Sequence, residues 1–405
     1  MIANNSVTSA NKRRYLVLIS GMIIQFCAGV IYMWSIFKKP VTEYLDWNSG
    51  DATLTASIMM VAFVIGMLIG GRTQDRFGPQ KIVFIGSLVM SAGIIATAFV
   101  TSATPELIYL TYGIIGGGGI GIVYSCTVAV VQKYFPDKRG FATGCMVGAF
   151  GFSLVFFSPL AEYMLSNIGV PATFETFGVA FLIICMISSI FLVNPPEGYT
   201  VPGAANTSAR KTQKQYTPGE MTRTRSFYLI FISLFFVLPA YFILNPILVD
   251  LGSERGIEMA SIAVMLTGAF SASGRLFITW LSDRIGRTNG LFTIILMTAI
   301  GIAVLTFAEG ILFLACVALV AFAFGGASGV YAATTADRFG TQNMGTNYGI
   351  ISLALGASAL IFNIVSKMTS GNGDYTISFT IATVTCIIAF ICIVLLRKEP
   401  MNNEC

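Results

Sequence analysis

Arg275 stands apart from every other charge in this sequence. It lies within Ser271-Ala-Ser-Gly-Arg275-Leu-Phe-Ile-Thr-Trp-Leu-Ser-Asp283, eight residues before the nearest acid, in an otherwise apolar stretch. Eight helical residues rise about 12 Å, which puts the guanidinium near the middle of a hydrocarbon layer about 30 Å thick. An arginine there costs at least about 2.5–3.5 kcal/mol by insertion scales, so it faces a bundle interior and needs a partner. A census of the 19 acids leaves none for the interior, and the chain has no histidine. The missing counter-charge is most simply that of a bound solute, because a planar guanidinium grips two oxygens of a carboxylate. The competing role is a packing strut satisfied by helix carbonyls and water. Depth counting adds three neighbours: Tyr124, nine residues before Lys133; Phe150, ten after Gly140; and Leu355, ten after Gly345.

A second pattern recurs at an offset of 208 residues. Gly71-Arg-Thr-Gln-Asp75-Arg76-Phe-Gly78 is echoed there by Thr279-Trp-Leu-Ser-Asp283-Arg284-Ile-Gly286-Arg287. At a shifted spacing, from a change of loop length, Phe135-Pro-Asp-Lys-Arg139-Gly140 is echoed by Phe339-Gly340. Asp75, Arg76, Asp283 and Arg284, with Arg139 as a further partner, are candidate gating residues. Two later helices begin on the same side, and their N-terminal dipole ends attract carboxylates, so these contacts can latch that side shut. The alternative is a pair of tight turns carrying topogenic charge.

The elements that hold these residues follow from composition. The chain has 405 residues, 55% apolar and 11% charged, where a soluble domain averages roughly 25% charged. An ordinary soluble enzyme is excluded, and the bilayer must act as solvent. Twelve apolar stretches run near 16–37, 52–71, 82–101, 107–132, 140–163, 172–193, 226–249, 257–281, 288–308, 310–336, 345–368 and 375–396. The expected fold class is an all-α membrane protein with twelve transmembrane helices in two six-helix bundles. The expected domains are 1–193 and 226–405, joined by a cytoplasmic linker at 194–225 rich in Pro, Thr and basic residues. Nineteen of the 24 basic residues fall on the side of the N-terminus. Four fall opposite (Lys38, Lys39, Arg255, Lys367), and Arg275 belongs to neither. Both termini are therefore expected to be cytoplasmic in a plasma-membrane protein, the first helix being retained and not a cleaved signal peptide. The eight cysteines are mostly within spans and serve as small apolar filler.

The repeated Asp-Arg-x-Gly loops, Gly121-Ile-Val-Tyr124, Phe135-Pro-Asp-Lys-Arg-Gly140, Asn347-Tyr348-Gly349 and the arginine of the eighth span resemble the major facilitator superfamily. The resemblance is to its branch of oxalate:formate antiporters and bacterial monocarboxylate transporters. It implies two bundles closing alternately around a central cavity. It also implies that Tyr32, Phe324, Ser328 and Tyr331 face that cavity beside Arg275, Tyr124 and Phe150. Two positions depart from the branch. Leu355 stands where the oxalate exchanger has a lysine, and Ser271 stands where some monocarboxylate transporters have an acid.

Other motifs fall away. Gly116-Gly-Gly118-Gly-Ile-Gly121 fits a dinucleotide fingerprint but lies inside an apolar span, where small residues let helices approach closely. There is no Gly-Lys-Ser/Thr phosphate loop and no metal-ligating cluster, and the basic residues form no nucleic-acid patch. The chain is thus expected to be a transporter of small monocarboxylates (lactate, pyruvate or formate type), moved by alternating access with or without a proton, possessing no cofactor and working as a monomer in lipid. Alternatives are an oxalate:formate type exchanger, an anion channel and a non-transporting sensor of small organic anions.

Overall fold

The computed structural model describes residues 2–135, 139–196, 199, 214–257, 261–340, 343–369 and 375–399; of these, the side chains of 2–12, 75, 139, 140 and 261 are not described. It is all-helical among the described residues. α1 runs Ile2–Ala28, tightens into a 3-10 turn at Gly29–Tyr32 and resumes at Trp34–Leu45. α2 is Leu54–Phe77 and α3 Pro79–Thr97. α4 opens with a π-helical stretch, Tyr109–Gly116, and continues as Gly117–Tyr134. The helical run Arg139–Ser189 is broken at Gly169, whose φ of 76° and ψ of 179° suit only glycine, and so supplies α5 before the break and α6 after it.

α7 is the most interrupted element. It comprises Arg225–Val237, Pro239–Leu244, a 3-10 turn Asn245–Ile247, and Leu248–Glu254. Each proline removes a donor from the helical ladder. The interruption at Asn245-Pro246 is therefore joined by an earlier one at Leu238. α8 is Ser261–Ile285, α9 Arg287–Leu305, α10 Gly310–Phe339, α11 Met344–Thr369 and α12 Thr376–Lys398. Among the described residues, eleven helical stretches are long and apolar enough to cross a membrane; one of them, Phe141–Ser189, has 49 residues and is divided in two by the break at Gly169.

The internal repeat is visible in the backbone. Gly78 ends α2 at φ 83°, ψ 152°, and Gly286 ends α8 at φ 90°, ψ 147°. Both glycines make the same left-handed turn directly into the next helix, which explains why the motif needs glycine there. Small residues then bring helices into backbone contact. A β-carbon on Gly121 would overlap the Phe63 carbonyl, and one on Gly325 would overlap that of Ser271, so α4 lies tight on α2 and α10 on α8. The first six helices meet the last six mainly where α5 packs on α8 and α2 on α11.

Candidate functional site

Arg275 sits on this seam. Its side chain leaves α8 toward α5, which Gly151 permits, since a β-carbon there would fall 2.6 Å from Nη1. Only 2% of the residue is exposed. Nη1 donates to the Val147 carbonyl at 2.9 Å, and Nη2 reaches the Tyr32 hydroxyl at 3.5 Å. The guanidinium carbon lies 5.9 Å from the Tyr32 ring centre and 5.5 Å from that of Phe150. Nε is buried without a hydrogen-bond partner, and no ion pair joins Arg275 to an acid among the described residues. Nη1 therefore behaves as the strut role requires, Nη2 makes one long contact, and Nε is left without a partner in the chain.

The guanidinium borders a central cavity that leaves about 30 Å³ open to the centres of water-sized molecules, room for about two waters. Seven of the residues singled out from the sequence line it: Arg275, Tyr32, Tyr124, Phe150, Phe324, Ser328 and Leu355. Their helices place them there for separate reasons. The 3-10 turn ending at Tyr32 aims that ring inward, edge-on to Phe150, Tyr241 and Phe324. Tyr241 in turn stacks on Phe324 at 3.7 Å and backs the wall. Tyr124 packs edge-on against Phe63 and Phe150.

Two of the named residues lie elsewhere. Tyr331 is two helical turns, about 10 Å, beyond Phe324 on α10. It is fully buried there, and its hydroxyl lies 2.5 Å from Ser233 Oγ on α7. Ser271 is buried in the α8–α10 seam, its carbonyl held against Gly325. Sequence reasoning missed Phe63, Met67, Leu234, Leu238, Tyr348 and Ser352, all of which line the cavity. One signal was available, because Met67 is the position 208 residues before Arg275 and so occupies the equivalent depth in the first repeat.

Among the described charges of these loops, the contacts stay within one half. Asp283 pairs with Arg287 at 2.5 Å, one turn on, and Arg287 also pairs with Asp337 at 2.8 Å, all within the second half. Arg284 lies over Trp280 and Arg76 over Phe77. The side chains of Asp75 and Arg139 lie outside the described residues. Ion pairs that do cross between the halves occur at the opposite end of the helices. Lys38 Nζ on α1 meets Asp250 Oδ2 on α7 at 2.7 Å, and Lys367 on α11 meets Asp51 beside α2 at 3.0 Å. Asn363 on α11 also donates to Ser57 Oγ on α2 at 2.8 Å. The 19-to-4 charge split hid these residues, since it treats the sparse basic side as empty background.

Twelve helices in two repeated sets, enclosing a small cavity on their common seam, define a multi-pass membrane transporter fold. A family model described as Major Facilitator Superfamily matches residues 17–240 and again 230–404, so the chain belongs to that superfamily and is one of its transporters. It is 27% identical over 392 residues to the oxalate:formate antiporter of Oxalobacter formigenes, covering 94% of this chain and 90% of the relative. It is 25% identical over 354 residues to YhjX, an MFS-type transporter of Escherichia coli (strain K12), covering 86% of each. A shorter match, 25% over 176 residues, links it to monocarboxylate transporter 2 of Mus musculus, covering 44% of this chain and 36% of the relative. In three dimensions it resembles the xylose transporter XylE of E. coli in a partially occluded inward open conformation. The TM-score is 0.71 at 15% identity, covering 99% of both chains, and the likeness shows the fold alone.

Proposed function

We propose that this transporter carries small monocarboxylates of the lactate, pyruvate or formate type by alternating access, with Arg275 holding the carboxylate. The observation that carries the proposal is a buried guanidinium, bordering the cavity, with an unpartnered Nε and no acid paired with it among the described residues. A carboxylate accepts two of its N–H groups at once, removing the cost of the bare charge. Tyr32, Tyr124 and Ser328 supply hydroxyls, while Phe150, Phe324 and Leu355 set the size. The units 1–193 and 226–405 would rock about this cavity, tethered by 194–225, with both termini cytoplasmic. Lys38–Asp250 and Lys367–Asp51 would close the outer side, and Asp75, Arg76, Arg139, Asp283 and Arg284 would govern the inner one.

A second reading, exchange of oxalate for formate, is supported by the relative from Oxalobacter formigenes. Against it, the cavity wall carries Leu355 on α11 and offers one cation for a dianion's two charges. Purified protein in proteoliposomes, given labelled lactate, pyruvate, formate and oxalate with and without internal substrate, separates the two. Uptake of monoanions above oxalate supports the first reading. Tight oxalate binding with formate counterflow replaces it by the second.

A further inference from the structure

The segment joining the two halves is fastened near each of its ends. On the first half, the Tyr199 hydroxyl donates to the carbonyl of Tyr134, the last residue of α4, at 3.3 Å. On the second, the Tyr216 N–H donates to the carbonyl of Phe339, the last residue of α10, at 3.0 Å, and the two rings meet edge-on at 5.6 Å. α4 and α10 are paired helices of the repeat, so the linker caps the same helix end in each half, where carbonyls lack a partner within the helix. Past Tyr216 the chain makes one helical turn, Pro218–Met221, closed by a reciprocal cap. The Thr217 side chain accepts from the Glu220 N–H, and Glu220 Oε2 accepts from the Thr217 N–H at 2.8 Å. Met221 anchors this turn and is fully buried.

The Tyr216 carbonyl is held in turn by the start of α11. Asn343 Nδ2 and Asn347 Nδ2 both donate to it at 3.1 Å, one to each lone pair. Asn347 is fully buried, and its Oδ1 has no partner. An apolar side chain would avoid that unsatisfied acceptor, so the amide is accounted for by what its nitrogen holds. Gly345 and Gly349, each two residues further on, lie about 200° around the helix and face α2 of the other half. A β-carbon on Gly71 would fall 3.6 Å from the Gly345 backbone, and one on Gly349 would fall 2.6 Å from a Leu68 methyl. The start of α11 is therefore pressed between α2 and the linker, one residue before Tyr348, which lines the cavity. We infer that linker residues 216–221 form a brace: gripped by Asn343 and Asn347, they hold the start of α11 against α2 and keep the linker end of the cavity shut. Tyr216, Asn343 and Asn347 are positioning residues for transport. The inference rests on the alternating access proposed above and not on the identity of the solute.

The test uses the full chain in proteoliposomes of known orientation, without native cysteines and with Leu355→Cys as reporter on the cavity wall. A membrane-impermeant thiol reagent is added from the linker side or from the side of Asp250, and the ratio of the two labelling rates is read. Asn343→Ala combined with Asn347→Ala should shift that ratio toward the linker side by about tenfold, the effect of losing both hydrogen bonds to the brace. Asn347→Leu removes the donor and the unpartnered oxygen together, so it should keep the fold, checked by thermal unfolding, and still shift the ratio by about threefold. Thr217→Ala, on the exposed side of the brace, should move it in the same direction by about threefold. Tyr331→Phe, which loses a hydrogen bond elsewhere in the second half, should leave it within twofold. An unchanged ratio in the asparagine variants, equal acceleration from both sides, or an equal shift in Tyr331→Phe overturns the brace while alternating access stands. A wild-type reporter reached from one side alone, whichever acid is added, overturns alternating access and the inference with it.

Discussion

Replacing Asp250 by Asn removes the acid half of the contact between α1 and α7. Lys38 is the buried partner, its side chain 7% exposed, whereas the Asp250 side chain is 48% exposed. Stranding a charge from a fully buried pair costs about 3–5 kcal/mol, and breaking an exposed pair about 0–1 kcal/mol. A buried lysine with a half-exposed acid falls between, at about 1–3 kcal/mol. At about 1.4 kcal/mol per decade, the closed state should lose about 5- to 100-fold in population relative to the state open at that end. The second crossing pair, Lys367 with Asp51, has both side chains 50% exposed, so Asp51→Asn should shift the balance by about fivefold at most. The assay places a single cysteine at Leu355, on the cavity wall, in a background without native cysteines. It then measures the labelling rate by a membrane-impermeant thiol reagent added from the side of Asp250. Asp250→Asn should accelerate labelling several-fold to a hundredfold. The charge swap Lys38→Asp with Asp250→Lys should return it toward the starting rate. Unchanged labelling in Asp250→Asn would refute the idea that this contact holds that end closed.

Arg275→Ala should abolish monocarboxylate binding and uptake while leaving membrane insertion intact, and Arg275→Lys should recover little, because an ammonium lacks the planar fork; near-normal uptake by the alanine variant would end the anchor role. Leu355→Lys should weaken monocarboxylate transport and raise oxalate affinity by at least about tenfold, measured by competition, since a second cation then faces the dianion. Tyr331→Phe should lower thermal stability by about 1 kcal/mol through loss of the Ser233 hydrogen bond, with substrate affinity within twofold of wild type; a large affinity change at constant stability would return Tyr331 to the cavity.

The sequence alone determined the solvent of this protein and the order of its elements. Apolar stretches of about 20 residues cannot be hidden behind 11% charge, and a continuous apolar run of that length satisfies its backbone inside lipid as a helix. The 208-residue repeat and the isolated Arg275 were equally legible, because a buried charge is too costly to occur by accident. Depth was readable too, since 1.5 Å per residue converts position to height, and Tyr124, Phe150 and Leu355 line the cavity that Arg275 borders.

Azimuth and partner choice were left to the tertiary structure. Ser271 faces the α8–α10 seam instead of the cavity, and Tyr331, two turns from Phe324 on α10, meets Ser233 of α7 instead of a solute. Tyr348 and Ser352 became cavity residues only because α11 presents that face to the seam between the halves. The crossing ion pairs depend on residues more than 200 positions apart, Lys38 with Asp250 and Asp51 with Lys367, brought together by the docking of the two halves. Local periodicity carries no information about which distant charge a helix end will meet, because that distance is set by the packing of all twelve helices at once.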